Sequence, residues 1–195
     1  KSVMDSYYKN YNFAENVYIP HGYDPEIWKR LDVKRNGRVL TMANSFKKRS
    51  SIMGYRNWKY VNDTMNNCDL YGDDNQDISE DIKSADSFYS LLMAYSSCSV
   101  YLNTTRSSAM PRSRAEAMFM GCPIVTTNNY GIDKYMTNNV DCLFVNTKNE
   151  MVSACKRIIN DQALQEKLSF EAVKTAKKYF HINDYLDRWN EVLCL

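Results

Sequence analysis

The 195-residue sequence has no C-x-x-C pair and only two histidines, His21 and His181. Zinc sites and thioredoxin-type redox centres use such spacings, so neither is indicated, and no metal site is expected. No apolar run approaches the ~20 residues of a membrane span, and no secretory leader pattern is visible. Net charge is also scarce, +2 from 25 Lys and Arg against 23 Asp and Glu. That balance argues against a nucleic-acid binder driven by phosphate neutralisation. No G-x-G-x-x-G follows the first clear strand, which disfavours a dinucleotide-binding protein. No D-x-D stands ready to hold a metal diphosphate, and repeats and low-complexity tracts are absent.

What remains is an ordinary globular composition, 44% hydrophobic and 25% charged. A chain of this length buries roughly 70% of its unfolded surface, so it holds a core without staples. Six cysteines (Cys68, Cys98, Cys122, Cys142, Cys155, Cys194) stand singly, several in or beside expected strands. There a free thiol serves as a small apolar filler, and a reduced, intracellular protein is expected. The chain opens on Lys1 rather than Met, which carries the expectation of a longer parent.

The most informative stretch is Ser99–Thr127. Its pattern predicts a strand (Ser99–Asn103), a polar loop (Thr104–Met110), a helix (Pro111–Met120) and a second strand (Pro123–Thr127). Proline suits a first helical turn, and Gly121 suits the position just past a helix end. The β-branched run before Thr127 fits a parallel strand covered on both faces. Ligands of such βαβ units bind at the carboxyl ends of the strands. A helix N-terminus offers free N–H groups to a phosphate. Arg106, Arg112 and Arg114 lie in or after the hydroxyl-rich loop. Glu116 falls one turn after Arg112 on the same face. Its carboxylate can accept two hydrogen bonds from a vicinal diol. Phosphate donors beside a diol-binding carboxylate make a nucleotide-diphosphate site. The alternative is that Glu116 complements the helix dipole and the arginines form a solvated face.

Further strands are expected at Asn16–Pro20, Arg38–Ala43, Cys68–Gly72 and Cys142–Val145. Helices are expected over Ile52–Thr64, Asp86–Cys98, Asn149–Asn160, Ala163–Phe180 and Asp184–Leu195. Gly54 counts as a mild weakness inside its helix. Gly22 permits a positive φ in the His21–Pro25 turn, where His21 is a turn residue or a cleft contact. The stretch Asp73–Asp81 imitates the start of a calcium loop. Ile78 and Ser84 occupy the places of the obligatory Gly and Glu, so it reads as a solvated loop. The order of elements implies an α/β domain, a Rossmann-like parallel sheet with helices on both faces.

The segment E-A-M-x-x-G-x-P-I-V-T-T, from Glu116 to Thr127, resembles the signature of group 1 glycosyltransferases of the two-domain GT-B fold. The resemblance covers nearly the whole chain and matches the C-terminal, donor-binding half. It implies transfer of a sugar from a nucleotide sugar, with retention and without a metal, and no cofactor beyond that donor. Glu116 takes the place of the ribose-binding glutamate. Ser108 stands where the family carries a glutamate facing the donor sugar. Asn44 replaces an arginine at the diphosphate, and Arg49 takes the place of a lysine there, with Lys47 and Lys48 adjacent. Arg112 and Arg114 join the donor-binding set, and Gly131 resembles a glycine at a helix start facing the donor, flanked by Asn128, Asn129 and Tyr130. Residues 1–15 are then a linker or the end of a preceding domain, 16–180 the nucleotide-sugar-binding domain, and 181–195 a helix crossing back to an N-terminal acceptor domain. The location implied is cytoplasmic, with peripheral membrane contact through that other domain. A catalytically silent GT-B-like module and a nucleotide-sugar epimerase are the alternatives.

Overall fold

A computed structural model describes residues 17–80, 82, 84–108, 111–129 and 131–194. The expected linker at 1–15 and the first residue of the expected 16–20 strand lie outside them. Five parallel strands form one sheet: β1 (Val39–Met42), β2 (Cys68–Tyr71), β3 (Val100–Asn103), β4 (Ile124–Thr127) and β5 (Leu143–Val145), in the order β2-β1-β3-β4-β5. Helices α1 (Ser50–Met53) and α2 (Tyr55–Met65) follow β1, and α3 (Phe88–Ser97) precedes β3. Helix α4 (Arg112–Phe119) joins β3 to β4. Helices α5 (Lys148–Asn160), α6 (Gln162–Tyr179) and α7 (Ile182–Leu193) close the chain.

Strand side chains alternate between two cores, as period-two geometry requires. Leu40, Tyr101 and Ile124 meet α3, α4 and α6 on one face. Val39, Val100, Leu102 and Val125 meet α2 and α5 on the other. β3 and β4 are buried at every position. This is the sheet covered on both faces that the sequence pattern predicts. Each fully buried aliphatic side chain contributes about 1.5–3 kcal/mol.

Local signals explain the boundaries. Pro111, extended at φ −56° and ψ 126°, caps α4 rather than opening its first turn. At the other end Gly121, at φ +61°, lets the amides of Gly121 and Cys122 bond back to Met118 and Ala117. Ser87 and Thr147 cap α3 and α5 reciprocally with Ser90 and Glu150.

Several expectations change. Residues 17–20 form no strand; the chain enters through a single bridge between Tyr23 and His181. The helix expected over Ile52–Thr64 is two helices, because Gly54 turns left-handed at φ +76°. A Cβ there would lie 2.1 Å from the Thr104 carbonyl oxygen, so this glycine lets the loop after β3 pass, rather than merely weakening a helix. Gly22 serves space and not a positive φ, since a Cβ would meet the Tyr185 side chain at 2.4 Å. The 73–81 stretch is not simply solvated. Asn75 is fully buried, accepting from the Phe46 amide and donating to the Ala43 and Gly72 carbonyls. Cys98, Cys122, Cys142 and Cys155 are free and buried, as fillers should be.

Candidate functional site

The chain runs from β1 to β2 on one side, then returns past β1 to β3 on the other. A crevice opens where two neighbouring strands send their continuations apart, here beyond the carboxyl ends of β1 and β3. A cleft of about 710 Å³ occupies that place, within the range of about 300–1,000 Å³ usual for small-molecule sites. Its walls are the segment after β1 (Ala43, Asn44, Arg49), the turn after β2 (Gly72, Asp73) and the loop after β3 with the start of α4.

Glu116 projects into this cleft from the second turn of α4. Its Oε2 accepts a hydrogen bond of 2.9 Å from the Tyr95 hydroxyl. Burial pushes the Glu116 carboxyl above its usual range, while Tyr95 and the Arg112 charge pull it back. Tyr95 is fully buried, which drives its own phenol well upward and keeps it a donor. One carboxylate oxygen is therefore held and the other is available. Tyr23 secures the first turn of α4 by donating to the Arg112 carbonyl at 3.2 Å.

Arg49 caps α1 and Arg112 opens α4; both are exposed and both line the cleft. Among the described residues neither takes part in an ion pair. They share that cleft with the first turn of α4, whose Arg114 amide bonds back to the Pro111 carbonyl at 3.0 Å. Ser108 lines the cleft as well, and so does Asn44, whose Oδ1 accepts from the Asp73 amide at 2.9 Å.

The other expected site residues go elsewhere. Lys48 pairs with Asp74 at 2.5 Å, and Lys47 donates to the Asp77 carbonyl at 2.7 Å, so the acidic loop holds both outside the cleft wall. Arg114 is wholly buried beneath α4, because it lies two residues, about half a turn, away from Arg112. Gly131 begins a 3-10 turn (Ile132–Lys134) beyond β4 at φ +79°, away from this cleft. Asn129 is turned inward, and Tyr130 lies outside the described residues. Tyr95 lies within the helix expected over Asp86–Cys98, with no site role expected from its position. Its polar tip was the overlooked signal, since a buried tyrosine hydroxyl usually finds a partner. Asp73, which accepts from the Ser84 hydroxyl at the cleft edge, carried no comparable signal.

Among the described residues, no three His, Cys, Asp or Glu side chains gather to hold a metal ion. None of the described helices is long and apolar enough to cross a membrane.

Residues 73–161 match the family model described as "Glycosyl transferases group 1". No curated protein matches the chain in sequence. Among solved structures, Anabaena Alr3699/HepE in complex with UDP and glucose is 15% identical with a TM-score of 0.73, over 90% of this chain and 56% of that one. Sucrose-phosphate synthase from Thermosynechococcus elongatus is 13% identical with a TM-score of 0.76, over 98% and 55%. The C-terminal domain of LpcC, a group 1 family protein from Francisella tularensis, is 11% identical with a TM-score of 0.66, over 83% and 100%. The chain thus spans about half the length of HepE and of the synthase, and all of the LpcC domain.

Proposed function

We propose, from the premise that this chain carries a group 1 glycosyltransferase domain of GT-B fold, that it binds the nucleotide-diphosphate sugar donor. The observation that carries the reading is one cleft combining a held carboxylate, Glu116, with two arginines that join no ion pair among the described residues. Glu116 accepts the two ribose hydroxyls through the oxygen that Tyr95 leaves available. Arg49 and Arg112 neutralise the diphosphate, helped by the first-turn amides of α4. Lys47 and Lys48 are already engaged and take a lesser part than the resemblance implies. Ser108 faces the sugar. That HepE was solved with UDP and glucose supports a nucleotide sugar as the partner.

In the reaction the bond between the sugar carbon and the leaving diphosphate breaks, and its electron pair stays on the phosphate oxygen. The arginines stabilise that developing charge in place of a metal. The acceptor hydroxyl oxygen forms the new bond, with retention, its proton passes to the departing diphosphate, and an N-terminal acceptor domain holds the acceptor. Helix α7 is the element that reaches toward it. It buries none of its side chains, and Leu186, Trp189, Val192 and Leu193 lie exposed along it. A donor-fold module without turnover is the second reading, favoured by Ser108 standing where the family has a carboxylate.

The test is thermal denaturation with UDP, GDP, ADP, TDP and CDP, each with and without magnesium. Stabilisation by one of them, indifferent to magnesium, is expected. If none stabilises either this chain or a longer parent, the donor-binding reading fails.

A further inference from the structure

Arg114 is among the largest fully buried side chains of the described residues, and it pairs with no carboxylate among them. Among the described residues its Nε and Nη1 have no hydrogen-bond partner. A cation with unmet donors is a costly way to fill a core that an aliphatic side chain fills freely. Its bonds show what it does there. Nη2 donates to two side-chain carbonyls, Asn103 Oδ1 at 3.1 Å and Asn129 Oδ1 at 3.4 Å. Asn103 ends β3, and Asn129 follows β4.

Both asparagines close on one residue, Thr105. Asn103 Oδ1 accepts from the Thr105 amide at 3.3 Å. Asn129 Nδ2 donates to the Thr105 carbonyl at 2.6 Å, and the Thr127 hydroxyl donates to the same oxygen. An asparagine amide can turn over and exchange its oxygen for its nitrogen. A guanidinium has only donors, so it holds the oxygen of Asn129 toward itself and the nitrogen toward Thr105. The next residues are secured on the opposite side, where the Arg106 and Ser107 amides donate to the Ile52 carbonyl. Thr105, Ser107 and Ser108 line the cleft.

We infer that Arg114 is a positioning residue for the cleft: through Asn103 and Asn129 it fixes Thr105 and hence the 104–108 loop, without touching ligand. The inference rests on the reading of that cleft as a nucleotide site. It separates Arg114 from Arg112, which faces the cleft directly.

The experiment compares Arg114→Met and Asn129→Ala with the unaltered chain. Two readouts are taken: amide hydrogen exchange, and calorimetric affinity for whichever nucleoside diphosphate stabilises the unaltered chain. In both variants exchange across 104–108 should accelerate about tenfold or more while the amides of β1, β3 and β4 keep their rates. Affinity should fall about fivefold or more. A merely structural arginine would raise exchange across the whole sheet together and leave the affinity of the folded protein unchanged, which would overturn the inference. Should Arg114→Met fail to fold, Asn129→Ala decides alone, and unchanged loop exchange there overturns the inference. If the unaltered chain binds no nucleoside diphosphate, the functional reading fails, while the exchange comparison still judges the clamp.

Discussion

Replacing Tyr95 by phenylalanine isolates the bond that holds the candidate ribose acceptor. The change removes one oxygen from a fully buried ring and leaves its packing in place. It deletes the 2.9 Å bond to Glu116 Oε2 and a longer, weaker one of 3.4 Å to the Ser113 carbonyl. A hydrogen bond to a charged group is worth about 1.5–3 kcal/mol net. Glu116 is partly exposed, so water replaces some of the loss, and about 1–1.5 kcal/mol is the better figure. Without the phenol the carboxyl loses one of the groups that lower its pKa, and it swings free. Affinity for a nucleoside diphosphate should then fall about five- to tenfold, with the melting temperature little changed. Calorimetric titration checks this, with inorganic pyrophosphate as the control. Pyrophosphate has no ribose, so its binding should be unaffected. An unchanged nucleotide affinity, or an equal loss for pyrophosphate, would refute the role given to Tyr95.

Arg49→Ala should cost about 1.5–3 kcal/mol of affinity for pyrophosphate and nucleoside diphosphate alike, and leave nucleoside binding unchanged in the same titration. Gly54→Ala forces a side chain into a left-handed φ and against the Thr104 carbonyl, so urea denaturation should show a loss of at least about 2 kcal/mol. The pH response follows from the raised carboxyl of Glu116. Without ligand, a raised folded-state pKa contributes stability that is present below the unfolded value and lost as pH rises through the folded one. Ligand binding needs the ionised acceptor and responds oppositely. Nucleotide affinity should fall on acidification, beginning at a higher pH than an ordinary carboxylate would dictate. Glu116→Gln should flatten that component in parallel titrations.

The sheet and its helices were legible because their signals are local. Pro111 and Gly121 bracket α4 in the sequence, and the β-branched run after Cys122 marks β4. Glu116 and Arg112 were legible together, since positions four apart share a helix face. Arg114 carries the same charge only two residues away, and that offset alone places it off the cleft-facing side. The remainder depends on partners distant in sequence. Lys47 and Lys48 are drawn off by Asp77 and Asp74, which meet them only once β1 and β2 pair. Gly54 breaks its helix for the sake of Thr104, a residue that arrives with β3. Asn75 disappears into the base of the β1 and β2 turns, where no composition rule would send an amide.

A double-mutant cycle shows whether Glu116 grips the ribose diol. One arm replaces Glu116 with alanine; the other replaces the stabilising nucleoside diphosphate with its 2′,3′-dideoxy form. Each change alone should cost about 2–3 kcal/mol, roughly 30- to 150-fold in affinity. Together they should cost little more than either alone, because both delete the same contact. Fully additive losses, or an alanine variant that binds the natural nucleotide unimpaired, would show that Glu116 does not hold the ribose.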